Sequence, residues 1–125
     1  MIEGLEATIL SGLDPADVVT VYEGDAEPDA YTPSVWVTDG GLSLSNRRLC
    51  DRAGVVTDRA LLVCSNTSAL GVTRLARDVA MALDGSRHGG GVLRVVLVSE
   101  AIEDREDPTE YCWTSTVDVM LTTSR

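Results

Sequence analysis

Residues 66–85 read NTSALGVTRLARDVAMALDG, and this stretch predicts the element around which the chain folds, an amphipathic helix over 67–84. Side-chain oxygens at Asn66, Thr67 and Ser68 can accept the unpaired amides of a first turn, and Gly85 can take the left-handed conformation that closes a helix. At about 100° per residue, Ala69, Val72, Leu75, Ala76, Val79, Ala80, Ala82 and Leu83 fall on one apolar arc, with Arg74, Arg77, Asp78 and Asp84 opposite. Such a helix is roughly 27 Å long. Leu70 and Met81 break the pattern, because they project among the polar residues beside Arg74 and Arg77. That strip of four predicts a second contact surface, facing a neighbouring subunit or the flank of a sheet.

The flanking segments read as strands. Upstream, RALLVCS at 59–65 is apolar on both faces, as a central strand should be. Downstream, GSRHGGG at 85–91 is a flexible return into VLRVVLVS at 92–99, a nearly all-apolar strand. Toward the N-terminus, Ile2, Leu5, Ile9, Leu10 and Leu13 mark one face of a first helix, which Asp14 and Pro15 end. A short strand over 18–22 (VVTVY), a polar broken loop over 23–33 and a strand over 34–38 (SVWVT) follow. Toward the C-terminus an acidic loop at 100–110 (EAIEDREDPTE) leads to a last strand. There Tyr111, Trp113, Val117, Val119 and Leu121 alternate with Cys112, Thr114, Thr116, Asp118 and Thr122. The expected fold is α+β: a mainly antiparallel four- to five-stranded sheet with two helices packed on one face. Sequential strands are neighbours by default.

Composition bounds the function. With 125 residues, 44% of them hydrophobic, the chain is one globular domain over 1–125. No apolar run approaches the roughly 18 to 20 residues that cross a bilayer, and nothing after Met1 has the pattern of a secretory signal, so a soluble protein folding in a cytosol is expected. Cys50, Cys64 and Cys112 are odd in number and lack CxxC spacing, which fits reduced thiols better than disulfides or a zinc site. A net charge of −10 argues against sequence-independent nucleic-acid binding, which draws on counterion release by basic residues. Protein partners are expected, with no membrane.

The search for chemistry returns little. Gly89, Gly90 and Gly91 follow a helix instead of leading from a strand into one, and no GK[ST] is present, so they read as a turn. His88 is a lone loop histidine, Cys64 sits in a strand expected to be buried, and the acids of 100–110 lack a calcium-loop pattern. No catalytic, cofactor or metal site is predicted. The long segment 41–57, GLSLSNRRLCDRAGVVT, carries Arg47, Arg48 and Arg52 in an otherwise acidic chain. It reads either as a solvated excursion or as an arm that docks on an acidic neighbour through guanidinium forks. In the second reading, reversing Arg47 and Arg48 to glutamate leaves the fold intact and weakens assembly.

PSVWV at 33–37, RLCDR at 48–52, ALLVCSNTSALGVTRLARDVAMALDG at 60–85 and the polar loop with aromatic-led strand over 105–121 together resemble the tail terminator proteins of long-tailed bacteriophages. The resemblance covers nearly the whole chain and is one of pattern, without a catalytic signature. It implies a structural virion protein, with no enzyme activity and no cofactor. Such a protein forms a ring, normally a hexamer, that caps the tail tube, stops its polymerisation and meets the head-closure or connector protein. Its place is then the head-proximal end of the tail, reached from the host cytoplasm during assembly. Leu70, Arg74, Arg77 and Met81, with Arg47, Arg48 and Arg52, would face protein neighbours. Glu100, Glu103, Asp104, Glu106, Asp107 and Glu110 would line the pore or an interface, with the acids of 23–29 as a second candidate. Six copies at −10 carry about −60, a bore that DNA passes without sticking. Two alternatives differ in role. Another neck component, such as a head-closure or head-to-tail joining protein, shares the size and charge; a small cytosolic α+β enzyme would rest on His88, Cys64 and the acids.

Overall fold

The structure is a computed structural model that describes residues 2, 4–14, 18–23, 33–39, 55–104 and 112–124. Among the described residues two helices, α1 (Glu6–Ser11) and α2 (Ala69–Leu83), accompany seven strands. These are β1 (Thr20–Glu23), β2 (Ser34–Asp39), β3 (Val55–Asn66), β4 (Arg87–His88), β5 (Gly91–Val98), β6 (Ile102–Asp104) and β7 (Cys112–Ser124). The fold is α+β, but the sheet is mixed and larger than the sequence suggests. Its order is β1-β2-β3-β7-β5-β4, with β6 also paired to β7.

The helix read from 66–85 forms almost where its pattern places it. Ser68 is the N-cap, accepting the Gly71 amide at 2.9 Å, while Asn66 Oδ1 accepts the Thr67 amide one step earlier. Gly85, just past the C-terminus, has φ +81°. Val72, Leu75, Ala76, Val79 and Leu83 are buried against the sheet, and each large side chain so covered contributes about 1.5–3 kcal/mol. The sheet answers with alternate residues: Val35 and Val37 of β2, Ala60, Leu62 and Cys64 of β3, Leu93 of β5, and Val117 and Val119 of β7. Helix α1 adds Ile9, with Ile2, Leu5 and Leu13 from its flanks, to the same core.

Helix α1 is shorter than its periodicity predicts. It ends at Ser11, ahead of Asp14, and Leu10 is on the exposed side instead of the core face. The reason is visible at Gly12, where an added Cβ would lie 2.2 Å from the Ala82 Cβ. Backbone close to α2 there leaves no room for a further turn with side chains. At the other end no side chain of α1 itself caps the helix. Glu23 of β1 reaches across and accepts the Leu5 amide at 2.9 Å.

Three expectations about the sheet are corrected. First, β1 and β2 run parallel, Thr20 opposite Ser34 through Glu23 opposite Val37, instead of forming an antiparallel neighbour pair. Second, β7 lies between β3 and β5, antiparallel to both, so β3, α2 and β5 make a β-α-β unit split by the C-terminal strand. Third, polar segments read as loops contain strands. Within 85–91, Arg87 and His88 pair with Val92 and Gly91 around a two-residue turn. Gly89 and Gly90 have φ of +55° and +83°, as such a hairpin turn requires. Within 100–110, Ile102–Asp104 pairs with Thr114, Trp113 and Cys112.

Because β3 occupies one side of β7 along its length, β5 and β6 share the other side. They are one long strand broken at 99–101. Ser99 holds the break to β7: its amide donates to Thr116 O at 2.9 Å, its Oγ accepts the Thr116 amide at 2.9 Å, and its carbonyl accepts Ser115 Oγ at 2.8 Å.

Candidate functional site

The strip predicted on α2 is present as one exposed face. Leu70 and Met81 are 63% and 74% exposed, and Arg74 and Arg77 between them are exposed as well. The geometry follows from the helix alone. Steps of four, three and four residues keep the four side chains on one narrow stripe, while the caps and the buried arc fix which way it points.

Of the acids read as pore or interface residues, Glu100 is exposed at the break between β5 and β6. Glu103 is half-buried within β6, and Asp104 closes that strand. Asp104 and Glu103 thus belong to a strand and not to a free loop. Glu106, Asp107 and Glu110 lie outside the described residues, as do Arg47, Arg48 and Arg52. The segment 41–57 is itself shorter as a connection than expected, because Val55 to Thr57 already belong to β3.

The sequence reading missed an apolar edge. Val96, Leu97, Val98 and Ile102 are all exposed, Leu97 and Ile102 at 63% each. The run VLRVVLV reads as a nearly all-apolar strand, yet only its first half is covered. A bulge between Val95 and Leu97 shifts the register against β7, and beyond it the strand leaves the shelter of the core. The nearest signal in the sequence was the abrupt change from VVLV to the acids that follow.

The backbone of the first half of β5, ahead of the bulge, is protected. Gly91 and Val92 pair with β4, Leu93 exchanges hydrogen bonds with Gly85 and Ser86, and Asp84 Oδ1 accepts the Val95 amide at 3.1 Å. Edge strands shielded in this way resist addition of a further strand.

A cleft of about 270 Å³ opens where α2 begins, walled by Leu13, Val19, Pro33 and Leu75 with Arg74 and Asp78 on its helical side. Its two charged groups are of opposite sign on adjacent turns of one helix. No nucleophile and base converge there. Cys64 faces the core, fully buried, and desolvation pushes its thiol from 9.0 up to about 12, so it is neutral in the folded chain. His88 belongs to β4 and is half-buried, which corrects its reading as a loop residue. Three strand spacings, about 14 Å, separate the lines of β3 and β4, so His88 and Cys64 do not form a Cys–His pair. Cys112, read on the polar face of the last strand, is buried.

Among the described residues no group of three His, Cys, Asp or Glu side chains is placed to hold a metal ion, and no helix is long and apolar enough to cross a membrane. On the opposite side of the sheet from α2, Arg59 of β3 and Asp118 of β7 form an ion pair at 2.5 Å. No family model matches the chain, and no curated protein does.

Proposed function

We propose that this chain is a structural subunit of a phage tail terminator: a ring, hexameric in the reading its sequence resemblance implies, that caps the tail tube and joins it to the head connector. The observation that carries the proposal is the α2 strip. A helix that is well capped and buried along one arc nevertheless presents Leu70 and Met81 to solvent, flanked by Arg74 and Arg77 in a chain of net charge −10. Large apolar side chains grouped with arginine on a surface are what a protein partner covers. The apolar edge at β5 and β6 supports the same reading, since a subunit in a ring needs a second surface that differs from the first. Glu100 and Glu103 on that edge then belong to an interface, in preference to an open pore. The role assigned is assembly, without an enzymatic step.

The test is addition of the purified protein to growing tail tubes. A terminator binds one end and halts elongation, and negative-stain images show a ring with a central hole at that end. Tubes that elongate at the same rate with no cap refute the proposal, and binding to the connector alone points to a head-closure role.

A further inference from the structure

The cleft at the start of α2 adjoins the exposed strip of the same helix, and Arg74 belongs to both. Its apolar walls, Leu13 and Leu75 among them, continue into two large side chains left in solvent, Val18 at 82% and Leu70 at 63% exposure. The two charged groups are open as well. Among the described residues neither the Arg74 nor the Asp78 side chain has a hydrogen-bond or ion-pair partner, and they do not pair with each other. An arginine four residues ahead of an acid is the weaker order for such a pair on a helix. An exposed guanidinium and a half-buried carboxylate one turn on thus stand beside an apolar hollow.

We propose that this cleft is the docking site for an extended segment of another protein, in which an acidic residue lies two positions from a large aliphatic one. Arg74 takes the carboxylate, the hollow takes the aliphatic side chain, and Asp78 accepts a backbone amide of the segment. The spacing fits. Arg74 and Asp78 stand about 6 Å apart along the helix axis, and residues i and i+2 of an extended chain lie about 6.6 Å apart with their side chains on one side. A carboxylate seated on Arg74 therefore brings the second side chain beside Asp78, over the hollow. A basic segment meets Arg74 with Arg77 on the same face and is repelled. A second copy of this chain is a poorer occupant. Its exposed Val98 and Glu100 have the spacing, but Ser99 between them is bonded to β7 through its amide, its Oγ and its carbonyl, so that segment is not free to lie in a cleft. The inference rests on the assembly reading and gives the chemistry of one partner.

Titration of the isotope-labelled full chain with short blocked peptides, followed by NMR, tests the site. The probe acetyl-SESLS-amide carries the acid and the aliphatic residue at the required spacing; acetyl-SKSLS-amide reverses the charge and acetyl-SESSS-amide removes the aliphatic side chain. The first is expected to shift the Gly71 and Leu75 amide resonances saturably, and the other two to bind about tenfold more weakly. Arg74→Glu reverses the preference, so that the lysine peptide binds better than the glutamate one. Arg74→Gln, which removes the charge and keeps much of the stem, weakens the glutamate peptide about tenfold without favouring the lysine one. No saturable shift, or equal binding of all three peptides, overturns the proposal, as does an unchanged preference in Arg74→Glu with native circular dichroism. Shifts at Gly71 and Leu75 that follow protein concentration and not peptide make the occupant a second copy and overturn it too. The titration involves no tail tube, so its failure leaves the tube assay to decide the ring reading separately.

Discussion

The Asp84 carboxylate, one residue past α2, accepts the Val95 amide at 3.1 Å and so joins the end of the main helix to the edge strand just before its bulge. A negative charge at a helix C-terminus is unfavourable against the helix dipole, and the hydrogen bond offsets this while occupying an edge donor. Asp84→Ala is expected to cost about 0.5–1.5 kcal/mol and to speed hydrogen exchange at the Val95 amide more than at Leu93, whose partner is backbone. Unchanged exchange at Val95 would show that this bond is not formed in solution.

Gly12 packs closely against α2. Gly12→Ala is expected to destabilise the fold by about 1–3 kcal/mol in chemical denaturation, because the new methyl would sit 2.2 Å from the Ala82 Cβ. Ala82→Gly in the same chain should recover part of the loss, less the roughly 1 kcal/mol that glycine costs inside a helix. A neutral Gly12→Ala would mean that α1 packs on α2 differently.

The buried Cys64 thiol predicts a pH dependence with a definite sign. Its folded pKa of about 12 lies above the ordinary 9.0, so the unfolded chain loses this proton first as pH rises. Stability from this group is complete below pH 9 and declines between pH 9 and about 12, by at most about 1.4 kcal/mol per pH unit. Cys64→Ala should flatten the fall of stability above pH 9 relative to the parent chain. Equal slopes in the two chains would place the thiol in contact with water.

Met81 separates folding from assembly. At 74% exposure, Met81→Asp should change monomer stability by no more than about 0.5 kcal/mol, while self-association followed by light scattering is lost. A monomer that unfolds on this substitution would make the α2 stripe part of the core.

Residue chemistry alone determined the local elements. A period near 3.6, an oxygen-bearing cap and a terminal glycine located α2, and its outlying Leu70 and Met81 marked a surface that the structure leaves open. The apolar run 59–65 located a strand that is indeed central, between β2 and β7. These are readings of side chains, and side chains differ from residue to residue. Strand pairing was decided only by tertiary structure. Hydrogen bonding in a sheet uses the backbone that every residue shares, so nothing in TVYE announces a parallel partner, and nothing in RH or IED announces a strand at all. The insertion of β7 between β3 and β5 depends on which long-range contacts bury the most apolar surface together. That insertion also settled the fate of VLRVVLV. Placed at an edge and bent by a bulge, its second half carries to the surface the apolar side chains that its composition alone would have buried.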